Sequence, residues 1–153
     1  DTTVGAVQRI SAELRPSVLD DLGLAAAVEN EARLFEERTG IECDVSLPPD
    51  GLGFDRSVAT AVYRMIQESL TNVARHSNAS RVEIRLRERG GELLLEVRDD
   101  GRGIRREEID DRKSLGLIGI SERAAIIGGS VHFEGIEGHG TIVSVRIPIQ
   151  ERA

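Results

Sequence analysis

Hydrophobic residues recur along this chain at two spacings, every three to four residues in some segments and every second residue in others. The first spacing predicts amphipathic helices, and the second predicts strands with one buried face. The segments with helical spacing are residues 1–15, about 22–38, about 55–76 and about 117–127. The segments with strand spacing are residues 41–47, 82–86, 93–97, 131–134 and 141–149.

Turn-forming and capping residues separate these segments. Gly40 follows the second predicted helix as a C-cap, and Asp55 precedes the third as an N-cap. A tight turn at Gly90 and Gly91 joins two predicted strands, and Gly128 ends the last predicted helix. The polar stretch 100–114 is predicted to be a loop.

The order of these elements indicates the fold class. Helices and hairpin strands are interleaved without the strand-helix-strand rhythm that produces a parallel sheet. We therefore predict an α/β (α+β) two-layer sandwich, with a mixed, largely antiparallel sheet and helices on one face.

Size and composition limit the possible functions. With 153 residues the chain is long enough for one compact domain plus a short additional element. The net charge of −7 argues against broad electrostatic binding to nucleic acid. The single Cys43 excludes an internal disulfide, and no apolar run approaches the ~20 residues that span a bilayer. We expect a cytoplasmic domain, excised from a parent that could itself be anchored in a membrane.

Polar residues gather on one sector of the long predicted helix. Glu68, Asn72, Arg75 and His76 fall close together at 3.6 residues per turn, beside the apolar stripe rather than opposite it. Oxygens of Glu68 and Asn72 suit Mg²⁺, and Arg75 and His76 suit phosphate. A solvated helix border is the alternative interpretation.

Asp99 is the strongest single signal. It continues the inward face of the strand that contains Leu93, Leu95 and Val97, and a carboxylate directed inward is costly unless hydrogen bonds reach it. Gly101 and Gly103 follow and permit a sharp turn or close ligand approach. The carboxylate could accept a hydrogen bond from an exocyclic amine such as that of adenine, or it could simply cap a turn.

Two glycine-bearing segments complete the pattern. Gly116 and Gly119 lie where a helix begins, a position that suits phosphate but equally suits close packing. Thr141 extends the inward face of the last strand as Asp99 extends its own, so the two side chains could meet if the strands are neighbours. The charged stretch between Arg102 and Lys113 is either a solvated loop or a lid over polyphosphate.

Together these segments resemble the Bergerat ATP-binding fold shared by histidine kinases, DNA gyrase, the Hsp90 chaperone and the MutL repair proteins. Residues 67–76 (QESLTNVARH) look like the family's N box, and residues 99–104 (DDGRGI) look like its G1 box. Residues 116–119 (GLIG) look like the G2 box, and Gly140-Thr141 matches the closing Gly-Thr pair. The resemblance covers nearly the whole chain.

One branch is favoured. Residues 14–24 (LRPSVLDDLGL) are similar to the linker that precedes the catalytic domain in sensor kinases of the nitrate-sensor and desaturase-regulating type. The resemblance then implies that residues 1–15 end the second dimerisation helix, that 16–24 form the linker, and that 25–150 form the catalytic domain.

The same resemblance implies roles for individual residues. Asn72 would ligate Mg²⁺, Glu68 would act near the metal or the nucleophile, and both would take part in catalysis. Asp99 would receive the adenine amine with support from Thr141. The remaining nucleotide-binding positions would be Arg75, His76, Gly101, Gly103, Ile104, Gly116, Leu117 and Gly119.

The implied activity is ATP-dependent protein histidine kinase, with ATP and Mg²⁺ as cofactors. His76, His132 and His139 lack the family's phosphoacceptor context, so the acceptor histidine would lie on dimerisation helices outside this chain. The implied partners are those helices, a second copy of the parent and a response regulator. Alternatives are an ATPase of the gyrase or MutL kind, a serine-kinase anti-sigma factor, and a nucleotide-binding module without catalysis.

Overall fold

A mixed sheet forms one layer of the molecule, and helices cover its buried face. The computed structural model describes residues 17–48, 55–110 and 117–149. The predicted helix over residues 1–15, the start of the predicted linker and Gly116 lie outside these ranges.

The helices are α1 (Ser17–Thr39), α2 (Arg56–Asn72), α3 (Arg106–Asp110) and α4 (Leu117–Ile126), and a π-helical turn (Val73–Ser77) continues α2. The strands are β1 (Glu42–Ser46), β2 (Arg81–Arg89), β3 (Glu92–Asp99), β4 (Ser130–Ile136) and β5 (Gly140–Pro148). None of the helices in the described ranges is both long and apolar enough to cross a membrane.

The strands lie in the order β1-β2-β3-β5-β4. β1 pairs with β2 in parallel, and the other neighbours are antiparallel. The predicted mixed, largely antiparallel sheet with helices is confirmed. Because β3 lies beside β5, the inward faces of these two strands end next to each other, which is the condition under which Asp99 and Thr141 could meet.

The core consists of aliphatic residues that alternate along the strands. Leu93, Leu95 and Val97 of β3 are buried, as are Val145 and Ile147 of β5. Buried residues of α1, of α2 and of its π-helical turn cover them, namely Leu24, Val28, Ala32, Phe35, Val62, Met65, Ile66, Ser69 and Val73.

Glycines end the elements where the sequence places them. Gly40 has φ 77° and donates its N–H to the Glu36 carbonyl at 2.8 Å, which terminates α1. Gly128 has φ 75°, and the N–H of Gly129 reaches back to the Ala124 carbonyl at 2.7 Å. The hairpin glycines Gly90 and Gly91 both have positive φ, as a two-residue turn of type I′ requires.

Two element predictions need correction. α1 begins at Ser17 instead of Leu22, so part of the predicted linker is helical, and Gly23 interrupts the helix with φ 84° and ψ 174°. The predicted loop 100–114 contains α3. The Glu108 carboxylate accepts from the N–H of Arg105 at 3.1 Å, so it caps the first turn of α3 as the acidic member of a capping box does.

Candidate functional site

A cleft opens between the C-terminal half of α2, its π-helical turn and the ends of β3 and β5. It encloses about 480 Å³ of space, part of which is open to solvent. Its lining combines apolar and polar side chains, namely Ser69, Asn72, Val73, His76, Ser77, Val97, Asp99, Arg102, Gly103, Ile104, Leu117, Thr141 and Val143. An apolar pocket with a few polar groups is the usual form of a small-molecule site.

Asp99 lies at the floor of this cleft and is only 7% exposed. It is the last residue of β3, so the strand's alternation directs its side chain inward with Val97 and Leu95. Burial raises the pKa of the Asp99 carboxyl, and hydrogen bonds from the backbone N–H groups of Gly101 and Thr141 oppose that rise. The Gly101 N–H lies 2.8 Å from Oδ1.

Thr141 is the cross-strand partner of Asp99 in β5. The predicted adjacency of the two residues is confirmed, but the Thr141 hydroxyl accepts a bond from the Ile104 N–H at 2.7 Å. Thr141 therefore supports the carboxylate through its backbone N–H and holds the following turn through its hydroxyl.

The turn after Asp99 packs against backbone on two sides, and glycine is required at both contacts. A Cβ on Gly101 would lie 2.1 Å from the Ser77 carbonyl oxygen, and one on Gly103 would lie 2.4 Å from the Ile136 carbonyl oxygen. Gly103 also has φ 84°, which disfavours any other residue.

Asp100 points away from the cleft and fixes the turn to β2. Its carboxylate accepts from the Ser80 N–H at 2.8 Å, the Ser80 hydroxyl at 2.7 Å and the Arg81 N–H at 3.0 Å. These bonds, led by that of the Ser80 hydroxyl, lower the pKa of the Asp100 carboxyl. The two adjacent carboxylates thus differ in their surroundings: Asp99 faces the cleft, whereas Asp100 faces away from it and holds the turn to the start of β2.

Arg102 connects the turn to α3. Its two terminal nitrogens bind the two oxygens of Glu108, each at 2.7 Å, and its Nε donates to the His76 carbonyl at 2.7 Å. The bond from Arg102 lowers the pKa of Glu108 to about 2. This side chain lines the cleft, yet the sequence signalled it only as one charge in a mixed loop.

The π-helical turn changes which residues of the N-box segment reach the cleft. The sector predicted for Arg75 assumed regular α-helical spacing, and the wider turn from Val73 to Ser77 interrupts that spacing. Arg75 is exposed and is not among the cleft-lining residues, whereas His76 lines the cleft.

Toward its C-terminal end, α2 carries buried polar atoms that have no hydrogen-bond partner within the described part of the chain, namely Glu68 Oε2, Ser69 Oγ and Asn72 Nδ2. Buried polar atoms are nearly always paired, so unpaired ones at a cleft indicate that a bound ligand or water satisfies them. Ser69 is buried on α2 and lines the cleft, and nothing in its sequence context singled out its hydroxyl as a site group.

The unpaired atoms on α2 also include groups that could hold a magnesium ion. No cluster of three or more His, Cys, Asp or Glu side chains occurs within residues 17–48, 55–110 and 117–149. Mg²⁺ commonly uses one or two protein oxygens together with substrate phosphates. The unpaired Glu68 oxygen fits such a metal site. The Asn72 side chain fits it as well, because a flip of its amide exchanges the unpaired nitrogen for the oxygen that Mg²⁺ would require.

Of the other predicted site residues, Ile104 and Leu117 line the cleft, and Gly101 shapes its turn. Glu68 and Gly119 lie beside it, with the Glu68 carboxylate directly over Gly119. Gly116 lies outside the described residues.

The fold and this cleft match a known family. Residues 57–151 match the family described as histidine kinase-, DNA gyrase B-, and HSP90-like ATPase, so the chain belongs to that family. Membership implies that the domain binds ATP.

Among individual proteins, the chain is 37% identical over 145 residues to the oxygen sensor histidine kinase NreB of Staphylococcus carnosus strain TM300. That alignment covers 95% of this chain and 42% of the relative, so the chain spans less than half of the relative's length.

Solved structures have the same fold. A histidine kinase domain from the Erythrobacter litoralis EL346 blue-light activated histidine kinase superposes with a TM-score of 0.71 at 24% identity, over 82% of this chain and 61% of that one. The Acinetobacter baumannii histidine kinase AdeS superposes with a TM-score of 0.69 at 16% identity, over 98% of this chain and 82% of that one.

Proposed function

We propose that this chain is the catalytic ATP-binding part of a sensor histidine kinase. It binds Mg-ATP in the cleft and transfers the γ-phosphoryl group to a histidine on a dimerisation helix outside this chain. One observation favours a histidine kinase over other members of the family. The family match begins at residue 57, whereas the similarity to the oxygen sensor kinase covers 95% of the chain and so extends well upstream of that residue.

Asp99 selects the nucleotide base. Its buried carboxylate accepts a hydrogen bond from the adenine amine, while the N–H groups of Gly101 and Thr141 compensate the buried charge. Apolar contacts with the base come from Val97, Ile104 and Val143, which line the same cleft.

The polyphosphate extends from the base toward α2. His76 and Asn72 lie along that side of the cleft, and Leu117 marks the start of α4, where backbone N–H groups remain unpaired by the helix. Arg75 and Gly116 are assigned to the phosphate end through the family resemblance alone.

Asn72 and Glu68 would hold Mg²⁺, which when bound neutralises phosphate charge. In the transfer, a lone pair of the acceptor imidazole attacks the γ-phosphorus and forms an N–P bond. The bond from phosphorus to the bridging oxygen breaks, and its electron pair leaves on ADP. Positioning and electrostatics provide most of the rate enhancement in such reactions.

The test mixes this chain with the histidine-bearing helices of its parent and γ-labelled ATP. We expect acid-labile label on the helices, because an N–P bond hydrolyses in acid, and no label when the acceptor histidine is replaced by glutamine. Free labelled phosphate without labelled helices would favour an ATPase, and acid-stable label on a partner protein would favour a serine kinase.

A further inference from the structure

The contact between α2 and α4 contains a charged pair that the assignments above do not use. Arg123 Nε donates to Glu68 Oε1 at 2.7 Å. Glu68 belongs to the N-box segment on α2, whereas Arg123 lies on α4, 55 residues further along the chain. The pair therefore connects the metal side of the cleft to the helix that follows the G2 segment.

The two oxygens of the Glu68 carboxylate have different surroundings. Oε1 is bound to Arg123, whereas Oε2 is buried without a partner in the described part of the chain. Oε2 lies against Gly119, where a Cβ would come within 2.6 Å of it. Gly119 and Arg123 are one helical turn apart, so a single face of α4 holds both sides of this carboxylate.

Such a pair adds little to stability. The side chains of Arg123 and Glu68 remain 35% and 31% exposed, and solvent screens ion pairs that are this accessible. The pair matters more for the orientation of the Glu68 carboxylate, because a free glutamate side chain samples many rotamers and loses conformational entropy when it is ordered. A carboxylate that is already ordered keeps its unpaired oxygen in one place.

We propose that Arg123 is a positioning residue for the reaction: it holds the Glu68 carboxylate by Oε1 so that Oε2 stays directed to the metal and nucleophile side of the cleft. This inference rests on the proposed kinase function and adds to it a residue outside the recognised motif segments. Arg123 is not among the residues that line the nucleotide cleft, so we expect it to affect the rate of transfer rather than the binding of ATP.

The experiment uses the full-length kinase to which, on the proposed function, this chain belongs. Arg123→Ala is compared with Arg33→Ala, which removes an arginine from the exposed Arg33–Glu37 ion pair within α1, at 2.9 Å. The rate of acid-labile labelling and the KM for ATP are measured for each variant, with thermal unfolding as a check of the fold.

We expect Arg123→Ala to lower kcat by about 10- to 100-fold, the usual effect of removing a residue that orients a metal-site group. The KM for ATP should stay within about twofold, since the adenine pocket is untouched, and Arg33→Ala should match wild type in both quantities. Arg123→Lys retains the charge without the planar fork and should recover part of the rate. If the alanine variant is poorly folded, the lysine variant replaces it in the comparison of kcat and KM.

A double-mutant comparison isolates the pair. Glu68→Gln and the combined Glu68→Gln, Arg123→Ala variant should be equally slow, because Arg123 acts only through Glu68. Wild-type rates in Arg123→Ala, or additive losses in the combined variant, would overturn the inference alone. A wild-type kinase that labels no histidine would overturn the proposed function and this inference with it.

Discussion

Asp99 and Thr141 are direct cross-strand partners at the ends of β3 and β5, and the backbone N–H of Thr141 donates to the buried Asp99 carboxylate. The register of the two central strands therefore sets the position of this carboxylate at the cleft floor. Backbone donors offset part of the cost of burying this charge, and the carboxylate remains able to accept a further bond from a ligand.

Asp99→Asn tests the adenine assignment. We expect the Kd for ATP to rise about 10- to 100-fold, since a hydrogen bond to a charged acceptor contributes about 1.5–3 kcal/mol. Calorimetry with ATP measures the change. Asp44→Asn, which alters an exposed carboxylate on β1 far from the cleft, should leave the Kd unchanged. An Asp99→Asn variant that binds ATP like wild type would exclude this assignment.

The same substitution has a predicted effect on stability. Burial raises the pKa of Asp99 in the folded state, so the folded state binds its proton more tightly than the unfolded state does. Ionised Asp99 therefore costs stability above its folded-state pKa, and that cost disappears as the pH falls below the ordinary aspartate value. Asp99→Asn should accordingly unfold at an equal or higher Tm than wild type at pH 7, and a marked fall in Tm would contradict this account.

Asn72→Asp tests the metal side of the cleft. The substitution adds a negative charge beside the polyphosphate, so ATP should bind more weakly without Mg²⁺ than it does to wild type. It also replaces the proposed amide ligand by a carboxylate, which changes how the metal is held and should slow phosphoryl transfer by about tenfold or more. The fold should be spared, because Asn72 is only half-buried and its Nδ2 has no partner in the described chain. Calorimetry with and without Mg²⁺ measures the first effect.

Asn78→Asp provides the matched control. It makes the same change at an exposed residue beyond the end of the π-helical turn, in a left-handed conformation that aspartate also tolerates. An equal loss in the two variants would show that general electrostatics, and not the position of Asn72, is responsible.

The central sheet could be predicted because its side chains alternate along each strand. Counting by two from Leu93 was sufficient to direct Asp99 inward, and the same counting placed Thr141 on the inward face of β5. The chain's glycines likewise marked the ends of α1 and α4 correctly.

What could not be predicted depends on contacts between distant segments. The π-helical turn lies in a sequence with ordinary helical spacing, so nothing local indicated that Arg75 would be exposed and absent from the cleft lining. The bonds of Arg102 to Glu108 and to the His76 carbonyl, and that of Arg123 to Glu68, join residues that no sequence pattern assigns to one another. Charge patterns show that such pairs can form, but not which partners meet.

The Arg102–Glu108 ion pair should make the stability of the protein depend on pH in the acid range. The folded-state pKa of Glu108 is about 2, well below the ordinary value of 4.5, so the pair stabilises the protein fully above that ordinary value. This contribution is lost as the pH falls from about 4.5 toward 2. Glu108→Gln should therefore lower the Tm at pH 7 but have a diminishing effect as the pH approaches 2. Thermal unfolding of both proteins across this range tests the trend, and a constant difference in Tm would contradict it.

Replacing glycine in the β4–β5 hairpin can cost stability through backbone strain and through a steric clash, and a comparison of Gly140 with Gly138 distinguishes the two. Both have positive φ, 113° and 76°, so Ala at either position adopts a strained backbone that costs about 1–2 kcal/mol. A Cβ on Gly138 meets nothing within 4 Å, whereas one on Gly140 would lie 1.8 Å from the Asp99 carbonyl oxygen. Gly140→Ala should therefore destabilise the domain by about 1–3 kcal/mol more than Gly138→Ala in urea unfolding, as overpacking typically does. Gly140→Ala should also weaken ATP binding, because the added methyl group would displace β3, which carries the Asp99 carboxylate. Equal losses of stability in the two variants would contradict this account, since they would show that β5 accommodates the methyl group without moving β3.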